Sequence, residues 1–280
     1  MDPLVAPKDL LAFINQPSGV IVDARAGEDV RERYRQSHLE GALHVHLEEE
    51  LSDIQEDLRM GGRHPLPSPE RFGKLLGNLG IDPATHVIVY DDQSGANAAA
   101  RFWWMLRAAG HEKVQVLDGG LQAALDAGFP ESSEPRTPLS KPPYPATTWK
   151  LPAVSMEEVT GYVRDPQFVV IDVRSENRYK GIEEPIDTIA GHIPGAINMP
   201  YAYNLNPEVF FLPPEKLRRM YQPVIAHRPA SNIIVHCGSG VTACHTLLAF
   251  AHAGMEIPAI YTGSWSEWSR NGKAIAREKP

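Results

Sequence analysis

The sequence predicts an α/β protein of two like halves, each a mostly parallel sheet with helices on both faces. Three observations predict it. Four blocks of sequence occur twice in the same order. Short apolar runs rich in β-branched residues, bounded by glycine or polar residues, recur through both halves. Between them lie stretches with helical periodicity, and strand–helix alternation implies a parallel sheet covered by helices.

The repeat carries the most weight. Val20-Ile21-Val22-Asp23-Ala24-Arg25 returns as Val169-Val170-Ile171-Asp172-Val173-Arg174, and His38-Leu39-Glu40-Gly41-Ala42 as His192-Ile193-Pro194-Gly195-Ala196. Val87-Ile88-Val89-Tyr90-Asp91 returns as Ile233-Ile234-Val235-His236-Cys237, and Val116-Leu117-Asp118-Gly119-Gly120 as Ile260-Tyr261-Thr262-Gly263-Ser264. Asp23 and Asp91 stand 68 residues apart, and Asp172 and Cys237 stand 65 apart, so spacing is kept as well as order. A period this long marks duplicated domains, not a solenoid.

Taken in order, the first block of each copy reads as a strand buried on both faces, because its apolar residues run without alternation. The Asp-x-Arg closing it, Asp23 with Arg25 and Asp172 with Arg174, predicts buried ion pairs or caps. Helices are expected over 68–79 and 98–109 in the first copy. In the second, a strand over Ile233–His236 should lead through a short loop into a helix carrying Cys244, His245, Leu247, Leu248 and Phe250. Residues 131–150, rich in proline, serine and threonine, read as an extended linker. The expected division is a first domain over 1–130, a linker over 131–150 and a second domain over 151–280.

Composition narrows the function. Hydrophobic residues make up 42% and charged residues 22% of 280, which suits two ordinary globular domains. A formal net charge of −8 argues against a general nucleic-acid binder but leaves room for a local basic pocket. The sequence shows no long apolar run and no signal pattern, so neither a membrane span nor secretion is expected. Two cysteines, Cys237 and Cys244, do not make a disulfide scaffold, and a cytoplasmic location is expected. The histidines show no zinc-site spacing, and neither a metal nor an organic cofactor is expected.

The chemistry concentrates in Cys237-Gly238-Ser239-Gly240-Val241-Thr242-Ala243. A loop of small residues between a strand and a helix lets successive backbone N–H groups turn inward as an anion cradle, reinforced by the helix N-terminus. Gly238 and Gly240 permit the close backbone approach. A cysteine at the head of such a loop is favoured as thiolate. The same cradle suits an anionic persulfide, and hence sulfur transfer. The competing reading is a buried structural cysteine at the head of a helix.

This loop resembles the active loop of the rhodanese superfamily, in its tandem-domain, 3-mercaptopyruvate sulfurtransferase-like form. His192-Ile193-Pro194-Gly195-Ala196 and Gly263-Ser264-Trp265-Ser266-Glu267-Trp268 are similar to that family as well. The resemblance implies two rhodanese-like domains and a sulfurtransferase. Its sulfane sulfur would pass from a small anionic donor, 3-mercaptopyruvate or thiosulfate, through a Cys237 persulfide to cyanide, a thiol or a thioredoxin-like acceptor. Asp91 stands at the matching position of the first copy. A carboxylate cannot carry a sulfane sulfur, so that copy should be catalytically inactive and supply one wall of a cleft.

The family further implies Arg178 as a substrate-binding residue together with the loop residues Gly238, Gly240, Val241, Thr242 and Ala243. It implies a serine–histidine–carboxylate relay of Ser239, His64 and either Asp53 or Glu49. Many members carry a second arginine just after a Glu-Pro, where this chain has Glu184-Pro185-Ile186. Arg63 and Arg101 could add positive field to the cleft but read better as solvated or structural arginines, and Cys244 reads as a buried helix cysteine. Trp103, Trp104, Trp265 and Trp268 read as packing residues.

Two other classes compete with this reading. A cysteine phosphatase wants an arginine six residues after the cysteine, where this chain has Ala243. A non-catalytic persulfide carrier would need neither the intact loop nor a full first domain. Within the transferase reading, the neutral Gly238 and Ser239 favour 3-mercaptopyruvate over the thiosulfate dianion.

Overall fold

The computed structural model describes residues 1–13, 16 and 18–278. The chain forms two compact units. One gathers residues 1–52, 67–150 and 207–211; the other gathers 53–66, 151–206 and the chain from 212 onward.

In the first unit, five strands lie in the order Leu4–Val5, Val114–Leu117, His86–Tyr90, Gly19–Asp23, Ala42–His44, and every pairing is parallel. Successive strand residues face opposite sides of a sheet. Ile21, Ile88 and Tyr90 enter one core with Leu10 and Phe13 of the helix Pro7–Phe13 and Ala124 of the helix Gly120–Asp126. The alternate residues Val20, Val22, Val87 and Val89 are buried too. Both faces are therefore covered, as uninterrupted apolar strands require. The helices expected around 68–79 and 98–109 are Pro69–Asn78, capped by the Ser68 hydroxyl, and Ala99–Ala108.

The second unit repeats the plan with four parallel strands in the order Ala259–Ile260, Ile233–His236, Val169–Asp172, Ile197–Asn198. A parallel bridge from Ala153 to Ile260 takes the outer place that Leu4–Val5 holds in the first unit. Val170 and Ile234 enter a core with Met156, Val159, Trp265 and Trp268. Ile171 and Val235 are buried on the opposite face.

The duplication extends to individual atoms. Arg25 grips Asp23 at 2.7 Å and donates to the Ser37 carbonyl at 2.7 Å; Arg174 grips Asp172 at 2.6 Å and donates to the Gly191 carbonyl at 2.8 Å. These are the buried ion pairs expected of the Asp-x-Arg blocks. Burial pushes the Asp172 carboxyl up, but Arg174 outweighs it and holds Asp172 below the usual carboxylate range. His38 donates through Nδ1 to the Tyr34 carbonyl at 2.6 Å and stacks on that ring; His192 does the same to Tyr179 at 2.7 Å. This pairing explains why each His-x-x-Gly-Ala block recurs: its histidine locks the preceding helix to the turn.

The proline-rich stretch is packed rather than loose. Glu131–Ser132 pairs antiparallel with His38–Leu39. Beyond it, Lys141, Tyr144 and Lys150 donate their amides to the carbonyls of Gly77, Gly73 and Ala108. Among the described residues, no helix is long and apolar enough to cross a membrane.

Candidate active site

In the second unit, Asp172, His236 and Ile260 end parallel strands, and the chain after each ending meets at one end of the sheet, where α/β folds form their clefts. Cys237 follows His236 directly. Its amide donates to Ser264 Oγ at 3.2 Å, and its carbonyl accepts from the Trp265 amide at 3.1 Å. Cys237 is only 3% exposed, yet its side chain is not enclosed by apolar groups alone. The Gly240 amide donates to Cys237 Sγ at 3.2 Å. Gly240 holds this pose at φ 75°, and a Cβ there would lie 2.5 Å from the Thr262 carbonyl oxygen, so glycine is required on two counts.

A cavity of about 240 Å³ opens beside the sulfur, lined by Val173, Arg174, Ser175, Arg178, Tyr201, Cys237, Gly238 and Thr242. That size suits a small molecule. Of the other nominated loop residues, Val241 is buried and Ala243 opens the helix Ala243–His252. The Cys244 thiol donates to the Gly240 carbonyl at 3.4 Å, so this helix cysteine backs the 237–243 loop from inside the fold.

Arg178 Nη2 contacts Glu184 Oε1 at 2.7 Å and Asp187 Oδ2 at 3.6 Å. Glu184 also holds Arg174 at 3.2 Å. Asp187, fully buried, receives Arg63 at 3.2 Å and Arg270 at 2.8 Å. Four guanidiniums thus share the three carboxylates Asp172, Glu184 and Asp187, a local excess of one positive charge. A protein of net charge −8 has a basic site here.

His64 Nδ1 and Ser239 Oγ lie 2.8 Å apart, in hydrogen-bond contact. The segment bearing His64 is fastened within this unit: Gly61 donates to Glu267 at 2.9 Å and Arg63 to Ser266 Oγ at 3.1 Å. Asp53 donates its amide to the Pro65 carbonyl at 3.0 Å, beside His64 in the chain, and its carboxylate accepts from Gln55 at 3.2 Å. Glu49, the other carboxylate considered, is exposed and pairs with Arg31 at 2.5 Å.

The first copy fills the equivalent cradle with its own side chain. Fully buried Asp91 accepts from the amides of Gln93 at 2.9 Å, Gly95 at 2.8 Å, Asn97 at 3.0 Å and Ala99 at 3.2 Å. Burial nonetheless pushes its carboxyl up to about 6, against the pull of those amides.

The Rhodanese-like domain family matches this chain twice, over residues 6–127 and 155–271. The chain belongs to the rhodanese family. It is 37% identical over 274 residues to a probable 3-mercaptopyruvate sulfurtransferase of Pseudomonas aeruginosa, covering 95% of this chain and 94% of that one. It is 38% identical over 254 residues to a thiosulfate sulfurtransferase of Mus musculus, covering 88% and 82%. Among solved structures, the 3-mercaptopyruvate sulfurtransferase SseA of Escherichia coli superposes with a TM-score of 0.79 at 31% identity, over 95% of this chain and all of that one. The chain is a sulfurtransferase with two copies of the family's domain.

Three residues of the candidate site carry little signal in the sequence. Arg63 reads from the sequence as structural before it reads as a source of positive field, and its guanidinium lies beside Gly238. Asp187 lies in a stretch without a motif. Ser264 had a usable signal: the first copy has Gly120 at the matching place, with φ 67°, and Ser264 keeps φ 53° despite its side chain. A serine bearing that strain where its counterpart is glycine marks a hydroxyl with a task.

Proposed function

We propose that Cys237 is the nucleophile and that 3-mercaptopyruvate is the preferred donor. The observation that carries this reading is the Gly240 amide donated to Cys237 Sγ beside a small, positively bounded cavity. The Cys237 thiolate attacks the donor's thiol sulfur, and an S–S bond forms as the donor's C–S bond breaks. The bonding pair leaves on carbon as the enolate of pyruvate. The proton of the former thiol returns to that carbon, through Ser239 and His64, to give pyruvate. The persulfide then yields its outer sulfur to cyanide or a thiol, and Cys237 leaves as thiolate.

The Ser239–His64 contact supports mercaptopyruvate, because a carbon leaving group needs a proton and a sulfite leaving group does not. Thiosulfate is the second reading. Arg63 beside Gly238 favours it by adding a cation that a dianion could use. Sequence identity does not choose between them, since the two relatives stand at 37% and 38%. The first copy is read as non-catalytic and the chain as cytoplasmic, acting on a thioredoxin-like or small-thiol acceptor.

Side-by-side kcat/KM values with the two donors test the reading. Mercaptopyruvate should win, and Cys237→Ser should show no turnover and no gain of one sulfur atom on the Cys237 peptide. Persulfide loading without turnover would make the protein a carrier. Full activity in the serine variant would remove the assignment.

A further inference from the structure

Gly238 lies next to the nucleophile, and two guanidiniums converge on it. A Cβ built on Gly238 would stand 3.0 Å from Arg63 Nη2 and 3.4 Å from Arg178 Nη2. The two arginines come from segments 115 residues apart in sequence, and both lean on Asp187 Oδ2, at 3.4 Å and 3.6 Å. Asp187 and Glu184 cannot neutralise both arginines, because Asp187 also holds Arg270 at 2.8 Å and Glu184, which binds Arg178 at 2.7 Å, also holds Arg174 at 3.2 Å. Arg63 is also aimed from a fixed base. Its amide is bound to Ser266 Oγ, and Gly62 packs so closely on Ser266 and the Gly263 carbonyl that no side chain would fit there. Its side chain keeps 22% of its surface exposed.

We propose that Arg63 is a second anion-binding residue of the Cys237 site, acting with Arg178 to hold the acidic group of the sulfur donor. The proposal rests on the sulfurtransferase reading of Cys237 for its substrate, but not for its electrostatics. Isoleucine follows Glu184-Pro185, so no cation comes from that turn. Arg63 supplies one from the segment that also carries His64, which places donor binding and proton handling on a single loop. A carboxylate and a sulfonate make the same demand of such a pair: two planar donors sharing the charge of one oxyanion group.

Alkylation of Cys237 tests this without turnover. Iodoacetate and iodoacetamide attack the same thiolate and differ by one negative charge. In Arg63→Gln the ratio of their rates, read on the Cys237 peptide, should fall about tenfold, while Arg63→Lys should keep most of it. Asp187 retains Arg178 and Arg270 in both variants. An unchanged ratio in Arg63→Gln overturns the proposal. In steady state, Arg63→Gln should raise KM by about tenfold with kcat less affected. A larger loss with thiosulfate than with mercaptopyruvate identifies the sulfonate as the group held, and the reverse identifies the carboxylate. If the wild-type protein transfers sulfur from neither donor, the sulfurtransferase reading fails while the alkylation ratio still decides the role of Arg63. A measurement on the unaltered protein covers a variant that does not fold. Pyruvate should protect Arg63 from phenylglyoxal several-fold and leave exposed Arg59 unprotected; equal labelling of Arg63 with and without pyruvate overturns the proposal.

Discussion

Ser264 Oγ accepts the amide hydrogen of Cys237 at 3.2 Å and donates its own proton to the Tyr261 carbonyl at 2.8 Å. One hydroxyl therefore ties the residue bearing the sulfur to the end of the neighbouring strand. It does so from a left-handed backbone pose, φ 53°, that costs a non-glycine residue roughly 1 kcal/mol or more.

That geometry predicts an inverted substitution order. Alanine at 264 keeps the strain and strands a buried amide and carbonyl; glycine strands the same groups but relaxes the backbone. Ser264→Gly should therefore be more stable than Ser264→Ala by ~1 kcal/mol, the reverse of the usual helical preference. Urea midpoints of the two variants decide it. Both should also load sulfur more slowly than the wild type, because the Cys237 amide has lost its anchor.

Asp91 offers a test by pH. Its carboxyl is pushed up to about 6 by burial, above the unfolded value, so the fold favours the protonated form. The stabilisation is complete below the unfolded value near 4 and is lost as pH rises through 6, by ~3 kcal/mol in all. The stability of the wild type minus that of Asp91→Asn should fall by about that amount between pH 4 and pH 7. His44, whose burial lowers it to about 4, acts in the opposite sense, losing stability as pH falls from its unfolded value. It is present in both proteins and cancels. A flat difference across that range would exclude the assignment to Asp91.

The repeat made the fold legible. A strand buried on both faces leaves its signature in unbroken runs such as Val87–Tyr90, and duplication doubles that signal. His64 and Ser239, 175 residues apart, could be paired only through the family resemblance, because nothing local to either residue implies a contact. The carboxylate network was harder to see. Asp187 and Glu184 are ordinary acidic residues in a loop, and their meaning arises only when the chain brings Arg63, Arg174, Arg178 and Arg270 around them. Residues 53–66 illustrate the same limit: they lie within the first copy in sequence, yet cluster with the second unit in the structure.

The relay should show a donor-dependent penalty. If Ser239 and His64 return a proton to the leaving carbon, His64→Asn should lower kcat with mercaptopyruvate by about a hundredfold. Thiosulfate should lose far less, since sulfite leaves as a stable anion. Equal losses with both donors would assign His64 to binding or structure instead. Single-turnover persulfide formation is the measurement that isolates this step from transfer to the acceptor.

Glu184 should matter to stability and donor binding at once. Its side chain is 3% exposed and binds Arg178 at 2.7 Å and Arg174 at 3.2 Å. Oε1 also accepts the amides of Ile186 at 3.2 Å and Asp187 at 3.1 Å. Glu184→Ala removes the counter-charge from two buried guanidiniums and should cost ~3–5 kcal/mol. Glu184→Gln keeps Oε1 for the two amides and for one contact with Arg178 and should cost less, yet it removes the negative charge that draws Arg178 and turns an NH2 group toward Arg174, which loosens the aim of Arg178. The glutamine variant should therefore fold and show a raised KM for either donor, although the arginine itself is intact. Denaturation and steady-state kinetics on the pair separate the two roles: an unchanged KM in Glu184→Gln would mean that Arg178 is aimed by the surrounding backbone and not by this carboxylate.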